Sequence, residues 1–308
     1  MPPPYEPPRL VLRRQALAAG YSDPEISRLR RAGSWSGLQR GAYLVGGTDP
    51  DRRNRHLLAV RATLAGLRTP AIVSHGSAAA LHGLPLWRVP LDRVHVTRRP
   101  PGRSADERRL RSHVARLAPE DVVVVGGTAV TSVARTVVDL ARVLPFDAAL
   151  VVADAALASD ATTPDALLAV LSGGTGTRGS RSARRVVRAA DRRSESVGES
   201  RSRAVFIEAG LPLPELQLEV RRSDGVLVGR SDFGWRRRRV LGEFDGRVKY
   251  GRLLRPGQDP GDAVFEEKRR EDALRDEVWG VVRWVWAELE TPLHLVSRVG
   301  RALERGPR

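Results

Sequence analysis

Four carboxylates in the last third of the sequence have the spacing of a cation-binding site. Glu243 and Asp245 are two residues apart in an apolar run typical of a strand, so they project from the same face. Asp232 lies on the preceding predicted strand, and a hairpin between the two strands would bring it beside Glu243. Glu199 lies on a predicted helix further upstream. Carboxylates gathered in this way repel one another unless a cation neutralises them, and oxygen ligands suit Mg²⁺ or Mn²⁺.

Such an ion could activate a water for attack on a phosphodiester. Of the 52 basic residues only Lys249 and Lys268 are lysines, and both follow the carboxylates. We expect one of them to supply an ammonium that stabilises charge developing on phosphate. The predicted metal ligands are Glu199, Asp232 and Glu243, and the predicted catalytic set adds Asp245 and Lys249. The alternative is that Asp245 and Gly246 form a strand-ending turn and that the acids are solvated.

The elements that must position these acids form an α/β pattern. A helix precedes three strands, and a charged helix, a fourth strand and a final helix follow. Their predicted ranges are 196–209, 216–221, 226–233, 240–245, 262–275, 281–286 and 292–303.

The 308 residues predict two or three domains, and the sequence divides accordingly. Residues 1–50 form a small helical unit with a hairpin, and residues 51–170 form a mixed α/β middle domain. Residues 171–185, rich in glycine, threonine, arginine and serine, are predicted to be a linker. Residues 186–308 form the α/β domain that carries the carboxylates.

The first domain contains a short arginine-bearing helix with a clear start signal. Ser22 and Glu25 are spaced as a capping box, and the helix ends before Gly33. Arg28 and Arg31 are three residues apart and face away from the core. We expect these two side chains to contact bases in a DNA groove. Other arginines suited to phosphate contacts are Arg13, Arg14, Arg30 and Arg40.

Composition limits the classes of function. The net charge of +16 favours a polyanionic partner such as DNA. The absence of cysteine excludes disulfides and thiolate metal sites. No apolar run reaches the ~20 residues that a membrane helix needs, and the proline-rich start lacks a secretory signal. We therefore expect a cytoplasmic protein that does not bind membranes.

Histidine gives a weaker signal. His75 and His82 are seven residues apart and share one face of a predicted helix. Two histidines without a cysteine or a placed acid are more typical of the core or a helix cap than of a metal site.

Several C-terminal motifs resemble the restriction-endonuclease-like PD-(D/E)XK fold, and most closely a domain related to very-short-patch repair endonucleases. They are Glu199-Ser200-Arg201, Gly229-Arg230-Ser231-Asp232-Phe233, Glu243-Phe244-Asp245-Gly246 and Val282-Arg283-Trp284. The resemblance covers about 120 residues and implies metal-dependent cleavage by Asp232, Glu243 and the helix residue Glu199. The family's lysine position holds Asp245 here, so Lys249 or Lys268 would have to replace it.

The N-terminal half is similar to AbiEi-type antitoxins of type IV toxin–antitoxin systems. Residues 12–45 resemble their winged helix, and the runs 74–85 and 131–140 resemble their middle domain. The resemblance implies DNA binding, transcriptional autoregulation and a cognate toxin as partner. Two interpretations follow: a DNA endonuclease dependent on Mg²⁺ or Mn²⁺, or a double-stranded-DNA-binding repressor whose nuclease-like domain is inactive.

Overall fold

A computed structural model describes residues 8–174, 176–222, 224–246 and 279–306. The chain divides into two compact units, Met1–Leu144 with Thr162–Val187 and Pro145–Ala161 with Arg188–Arg308. Each unit combines helices with sheet, so the protein is a multi-domain, mixed α/β chain. In these described ranges, no helix has the length and apolar character needed to cross a membrane.

The first unit begins with a three-stranded antiparallel sheet and two helices. The elements are β1 (Arg9–Leu12), α1 (Arg13–Ala18), α2 (Asp23–Arg31), β2 (Trp35–Gln39) and β3 (Ala42–Val45), with the strand order β1-β3-β2. The predicted capping box starts α2: the Ser22 amide donates to Glu25 Oε2 (2.7 Å) and the Glu25 amide donates to Ser22 Oγ (3.4 Å). Ile26 of α2 packs against Trp35 and Tyr43 in the core of this part.

A six-stranded mixed sheet follows in the same unit. Its elements are α3 (Arg52–Gly66), β4 (Ile72–Val73), α4 (His75–Leu81), β5 (Val94–Arg98), β6 (Ala105–Asp106), β7 (Leu110–Val114), β8 (Val122–Val125), β9 (Thr128–Thr131) and α5 (Val133–Ala141). The strand order is β6-β7-β5-β4-β9-β8, and the pairs β5–β7 and β4–β9 are parallel. Two later helices are α7 (Pro164–Gly173) and α8 (Ser180–Ala189).

Helix α3 joins the two sheets of this unit. Ala62 packs with Leu38 and Leu44 of the first sheet, whereas Val60 packs with Val73 and Val94 of the second. The sequence predicts a domain boundary near residue 50. In the structure, residues before and after this point belong to one compact unit, because α3 packs against both sheets.

The second unit is built on a four-stranded sheet in the order β10-β11-β12-β13. Its elements are α6 (Phe146–Ala158), α9 (Val197–Glu208), β10 (Glu215–Arg221), β11 (Leu227–Trp235), β12 (Val240–Asp245), β13 (Gly280–Val285), α10 (Trp286–Glu290) and α11 (Leu293–Arg305). The first three strands are antiparallel neighbours and β12 pairs with β13 in parallel. Phe206, Phe233 and Trp284 form its aromatic core. The predicted helix 262–275, Lys249 and Lys268 lie outside the described residues.

The boundary between the units departs from the sequence-based expectation in two places. The segment 171–185, predicted as a linker, holds the end of α7 and the first turns of α8. Helix α6, expected in the middle domain, belongs to the second unit. Its fully buried Asp154 accepts a hydrogen bond from the Asp191 amide (2.9 Å) and pairs with Arg203 of α9. Sequence periodicity detects such a helix but not the helix against which it packs.

Candidate functional site

The predicted arginines of the first unit lie at its surface. Helix α2 buries Ile26, and Arg28 and Arg31 are exposed as expected. The other four predicted contacts, Arg13, Arg14, Arg30 and Arg40, are also exposed. The capped helix therefore presents a basic surface to solvent.

Arg13 differs from the others because it has a carboxylate partner. Its Nε donates to Asp23 Oδ1 (2.8 Å), and a second guanidinium nitrogen contacts Asp23 Oδ2. This hydrogen bonding lowers the pKa of Asp23. The pair links the start of α1 to the start of α2, so part of the charge of Arg13 is offset within the protein.

Arg30 and Arg40 extend the basic surface onto the hairpin. The Arg30 guanidinium lies 5.7 Å from the centre of the Tyr43 ring, a distance typical of a cation–π contact. Arg40 and Gly41 form the two-residue connection of β2 and β3, where Gly41 has a φ of +73° that favours glycine. Arg14 and Arg40 line the same surface cleft.

In the second unit, Asp232 and Glu243 are neighbours, as the sequence predicts. The register pairs Phe233 with Gly242, so the residues next to these two lie side by side on β11 and β12. The Asp232 carboxylate accepts a hydrogen bond from the Phe244 amide (2.9 Å). Glu243 is bound by Arg283, its register partner on β13, at 2.8 Å. Both acids therefore have protein donors within hydrogen-bonding distance.

Glu199 is placed by the capping of α9 and is buried. Ser196 Oγ accepts from the Glu199 amide (3.1 Å), which starts the helix. The Glu199 carboxylate accepts hydrogen bonds from the Glu195 amide and from Gln217 Nε2, both at 2.9 Å. Gln217 has a φ of +54°, so an unusual backbone conformation on β10 accompanies this contact. Glu199 thus links the start of α9 to β10.

Among the described residues these acids do not form a set of three convergent ligand atoms. Across the described parts of the chain, which include Glu199, Asp232, Glu243 and Asp245, the one set of three ligating residues with ligand atoms within 4.8 Å of one another is made of histidines. Asp245 ends β12 opposite Val285. A guanidinium already neutralises Glu243, so no cation is needed to hold the charge there.

The histidine set consists of His75, His95 and His113, and the sequence indicated only the first of them. His82, its predicted neighbour on the helix, instead bonds the Thr131 carbonyl through Nε2 (2.7 Å). His95 lies on β5 and His113 on β7, which pairs in parallel with β5. Strand β7 was not predicted, and pairing between strands separated in sequence leaves no local pattern that would place these residues together.

Burial sets the protonation state of this histidine cluster. Burial lowers the pKa of His75 well below its usual value, with neighbouring His113 and His95 as smaller causes. Burial and His113 lower the pKa of His95 to about 4, and burial and Arg111 lower that of His113 to about 4. All three imidazoles are therefore neutral near pH 7.

Comparisons with known proteins found two relatives by sequence and a solved structure. No family model matches. Two uncharacterized proteins of Mycobacterium tuberculosis, MT2308 (strain CDC 1551 / Oshkosh) and Rv2248 (strain ATCC 25618 / H37Rv), are each 32% identical over 182 residues. Each match covers 59% of this chain and spans 64% of the relative's length. The crystal structure of the RV2827C protein from the same organism aligns with a TM-score of 0.40 at 17% identity, covering 71% of this chain and 86% of that one.

Proposed function

We propose that this protein binds double-stranded DNA through α2 and the β2–β3 hairpin. The observation that carries the proposal is the exposed arginine face of α2. The opposite face of this helix carries the buried Ile26. A helix of this size with basic residues on its outer face suits the major groove.

The order of elements supports the same interpretation. The turn between α1 and α2 and the sheet order β1-β3-β2 are compatible with a winged helix, whose second helix enters the groove. Arg40 would then lie at the tip of the wing, where a guanidinium can reach the phosphate backbone. The sequence resemblance to AbiEi-type antitoxins agrees with this assignment.

Charge favours a polyanionic partner for this surface. Residues 8–46 contain seven arginines against one aspartate and one glutamate. Each phosphate neutralised by an arginine releases condensed counterions, so affinity should fall steeply as salt rises.

The role that fits best is that of a DNA-binding repressor of the antitoxin type. It would act in the cytoplasm and have a cognate toxin as a further partner. The α9-β10-β11-β12 order with a parallel β13 is compatible with an endonuclease-like fold. The donors bound to Asp232, Glu199 and Glu243 favour a domain that supports binding over one that cuts. Cleavage dependent on Mg²⁺ or Mn²⁺ stays a prediction from the sequence.

Fluorescence anisotropy with a labelled mixed-sequence duplex tests the binding proposal. The double variant Arg28→Ala, Arg31→Ala should lower affinity and reduce the slope of log K against log salt, because two cations are removed from the groove-facing surface. The matched control is Arg181→Ala, Arg184→Ala, which removes two exposed arginines three residues apart on α8. Unchanged affinity and slope in the α2 variant, or an equal loss in the control, would show that α2 does not bind DNA.

Cleavage is tested separately with supercoiled plasmid and Mn²⁺. We expect the wild type to shift the plasmid in a gel without nicking it. Nicking by the wild type that Asp232→Ala abolishes would establish the enzyme interpretation and remove the inactive-domain proposal, while leaving the role of α2 to the anisotropy measurement.

A further inference from the structure

Three histidines from separate elements of the first unit bring their ring nitrogens together. His75 begins α4, His95 lies on β5 and His113 lies on β7. One ring nitrogen from each lies within 4.8 Å of the other two. The rings of His75 and His113 are stacked with centroids 3.9 Å apart and planes 15° from parallel, so one of these two rings must rotate before both can direct a lone pair at the same ion. Three imidazoles are one of the donor sets with which proteins hold Zn²⁺ while leaving a fourth position open.

One pair of nitrogens has the spacing that a small transition-metal ion requires. Nδ1 of His95 is 3.1 Å from Nε2 of His113. Ligand nitrogens about 2.0–2.1 Å from Zn²⁺ in a tetrahedron stand about 3.3 Å apart, close to this distance. Nδ1 of His75 is 3.0 Å from Ser74 Oγ. Metal-binding imidazoles commonly use their second nitrogen for a hydrogen bond to an oxygen in this way.

The backbone at His75 is unusual for a residue with a side chain. Its φ of +52° lies in the left-handed region, which costs energy for any residue except glycine. The next residue, Gly76, is held tightly, because a Cβ there would come within 3.0 Å of Val89 and 3.1 Å of the Pro90 carbonyl oxygen. Packing thus fixes the start of α4 in the conformation that directs His75 to the other two histidines.

A buried hydroxyl beside the cluster lacks a hydrogen bond. Thr97 is two residues from His95 on β5, which places both on one face, and it pairs in register with His113. Its side chain is 1% exposed, and its Oγ1 has no hydrogen-bonding partner among the described residues. Buried hydroxyls are nearly always satisfied, so a water on the open position of a metal ion would account for Thr97.

Charges around the cluster partly cancel. Arg111 and Arg135 act on the histidines as positive neighbours, whereas Asp92 and Asp106 act as negative ones. A purely nitrogen donor set does not suit Mg²⁺ or Ca²⁺, which prefer oxygen.

We propose that His75, His95 and His113 bind one divalent transition-metal ion of the Zn²⁺ class, with a fourth position open to water. The site belongs to the six-stranded sheet, and the proposal does not depend on DNA binding. The competing arrangement is a metal-free cluster in which one neutral imidazole donates a hydrogen bond to the next.

Isothermal titration of the full-length, tag-free, chelator-treated protein with Zn²⁺ tests the site. We expect one ion per chain in the wild type. The variants His95→Ala and His113→Ala should each lose binding so far that the same titration no longer detects it. The control His294→Ala removes an exposed histidine of α11 and should bind as the wild type does. No uptake by the wild type, or equal uptake by all variants, would overturn the proposal in favour of the metal-free cluster.

Cobalt provides a second readout that does not depend on how well the alanine variants fold. Co²⁺ bound by three imidazoles and water gives visible absorption bands of tetrahedral intensity, whereas hydrated Co²⁺ absorbs weakly. His75→Asn is the variant for this measurement, because asparagine tolerates a positive φ and should preserve the backbone. Tetrahedral bands in the wild type that disappear in His75→Asn support the site, and weak octahedral bands in both contradict it.

Discussion

The carboxylates of the second unit and the histidines of the first offer opposite outcomes for groups that could bind a metal. Asp232 and Glu243 lie side by side on adjacent strands, but an amide and a guanidinium bind them. His75, His95 and His113 come from distant points of the sequence, yet their nitrogens converge. The difference lies in the partners: the carboxylates are bound by donors from other residues, whereas His95 and His113 are hydrogen-bonded to each other.

Zn²⁺ should stabilise the protein through the histidines, whereas Mg²⁺ should not stabilise it through the carboxylates. This difference is the largest effect that we predict. At free Zn²⁺ about 100 times the dissociation constant, the free energy of unfolding should rise by about 2.7 kcal/mol. Mg²⁺ at the same concentration should leave it unchanged, because the acids already have donors. Calorimetric melting of the wild type and of His113→Ala measures both effects, and stabilisation by Mg²⁺ that Asp232→Ala removes would reverse the comparison.

Glu199→Ala tests whether a predicted metal ligand is instead a structural residue. Loss of its carboxylate leaves the Gln217 amide and the Glu195 amide without their acceptor, so we expect the free energy of unfolding to fall by about 2 kcal/mol. Urea unfolding measures the loss. Glu208→Ala, an exposed change on the same helix, serves as the control and should have a much smaller effect.

Acidification should weaken the histidine region. His95 and His113 have folded-state pKa values of about 4 against a usual value of 6.5, so the unfolded chain binds more protons between these limits. Stability is therefore fully present above pH 6.5 and falls as pH decreases toward 4, by at most about 1.4 kcal/mol per pH unit for each histidine. Chelator-treated wild type and His95→Gln should differ in this slope, and parallel pH curves would contradict the prediction.

The smallest predicted effect concerns Arg283, whose guanidinium binds Glu243. Arg283→Gln should increase the affinity of the second unit for Mn²⁺ by about threefold, the scale of a partly exposed ion pair. A titration followed by the electron paramagnetic resonance signal of free Mn²⁺ measures this change. The control Arg230→Gln changes an arginine of β11 that pairs with the exposed Glu195. It should leave the Mn²⁺ affinity as it is in the wild type. Equal gains in both variants would mean that net charge alone is responsible.

The sequence predicted those helices and strands whose ends are determined by residues close to them in the chain. The capping residues Ser22 and Glu25 placed α2 correctly, and the apolar run placed β12 at its observed ends, Val240 and Asp245. Both depend on contacts within a few residues or on a short apolar run. The neighbouring positions of Asp232 and Glu243 followed from the same reasoning.

Long-range pairing accounts for what the sequence did not predict. Strand β7 carries the polar residues Arg111, Ser112 and His113, and its parallel pairing with β5 follows no local rule. The donors to Asp232 and Glu243 come from Phe244 and from Arg283, which is 40 residues away from Glu243. Residue type indicates which side chains could bind a metal, but only the fold determines which ones already have partners.

The path of the chain between its two units limits how the protein can be divided. It leaves the first unit after Leu144, returns at Thr162 and leaves again after Val187. A fragment ending near residue 187 would retain α6 but lose α9, whose Arg203 pairs with the buried Asp154 of α6. Recombination between related genes at this point would therefore leave a buried carboxylate without its guanidinium partner, so the two units are expected to be inherited together.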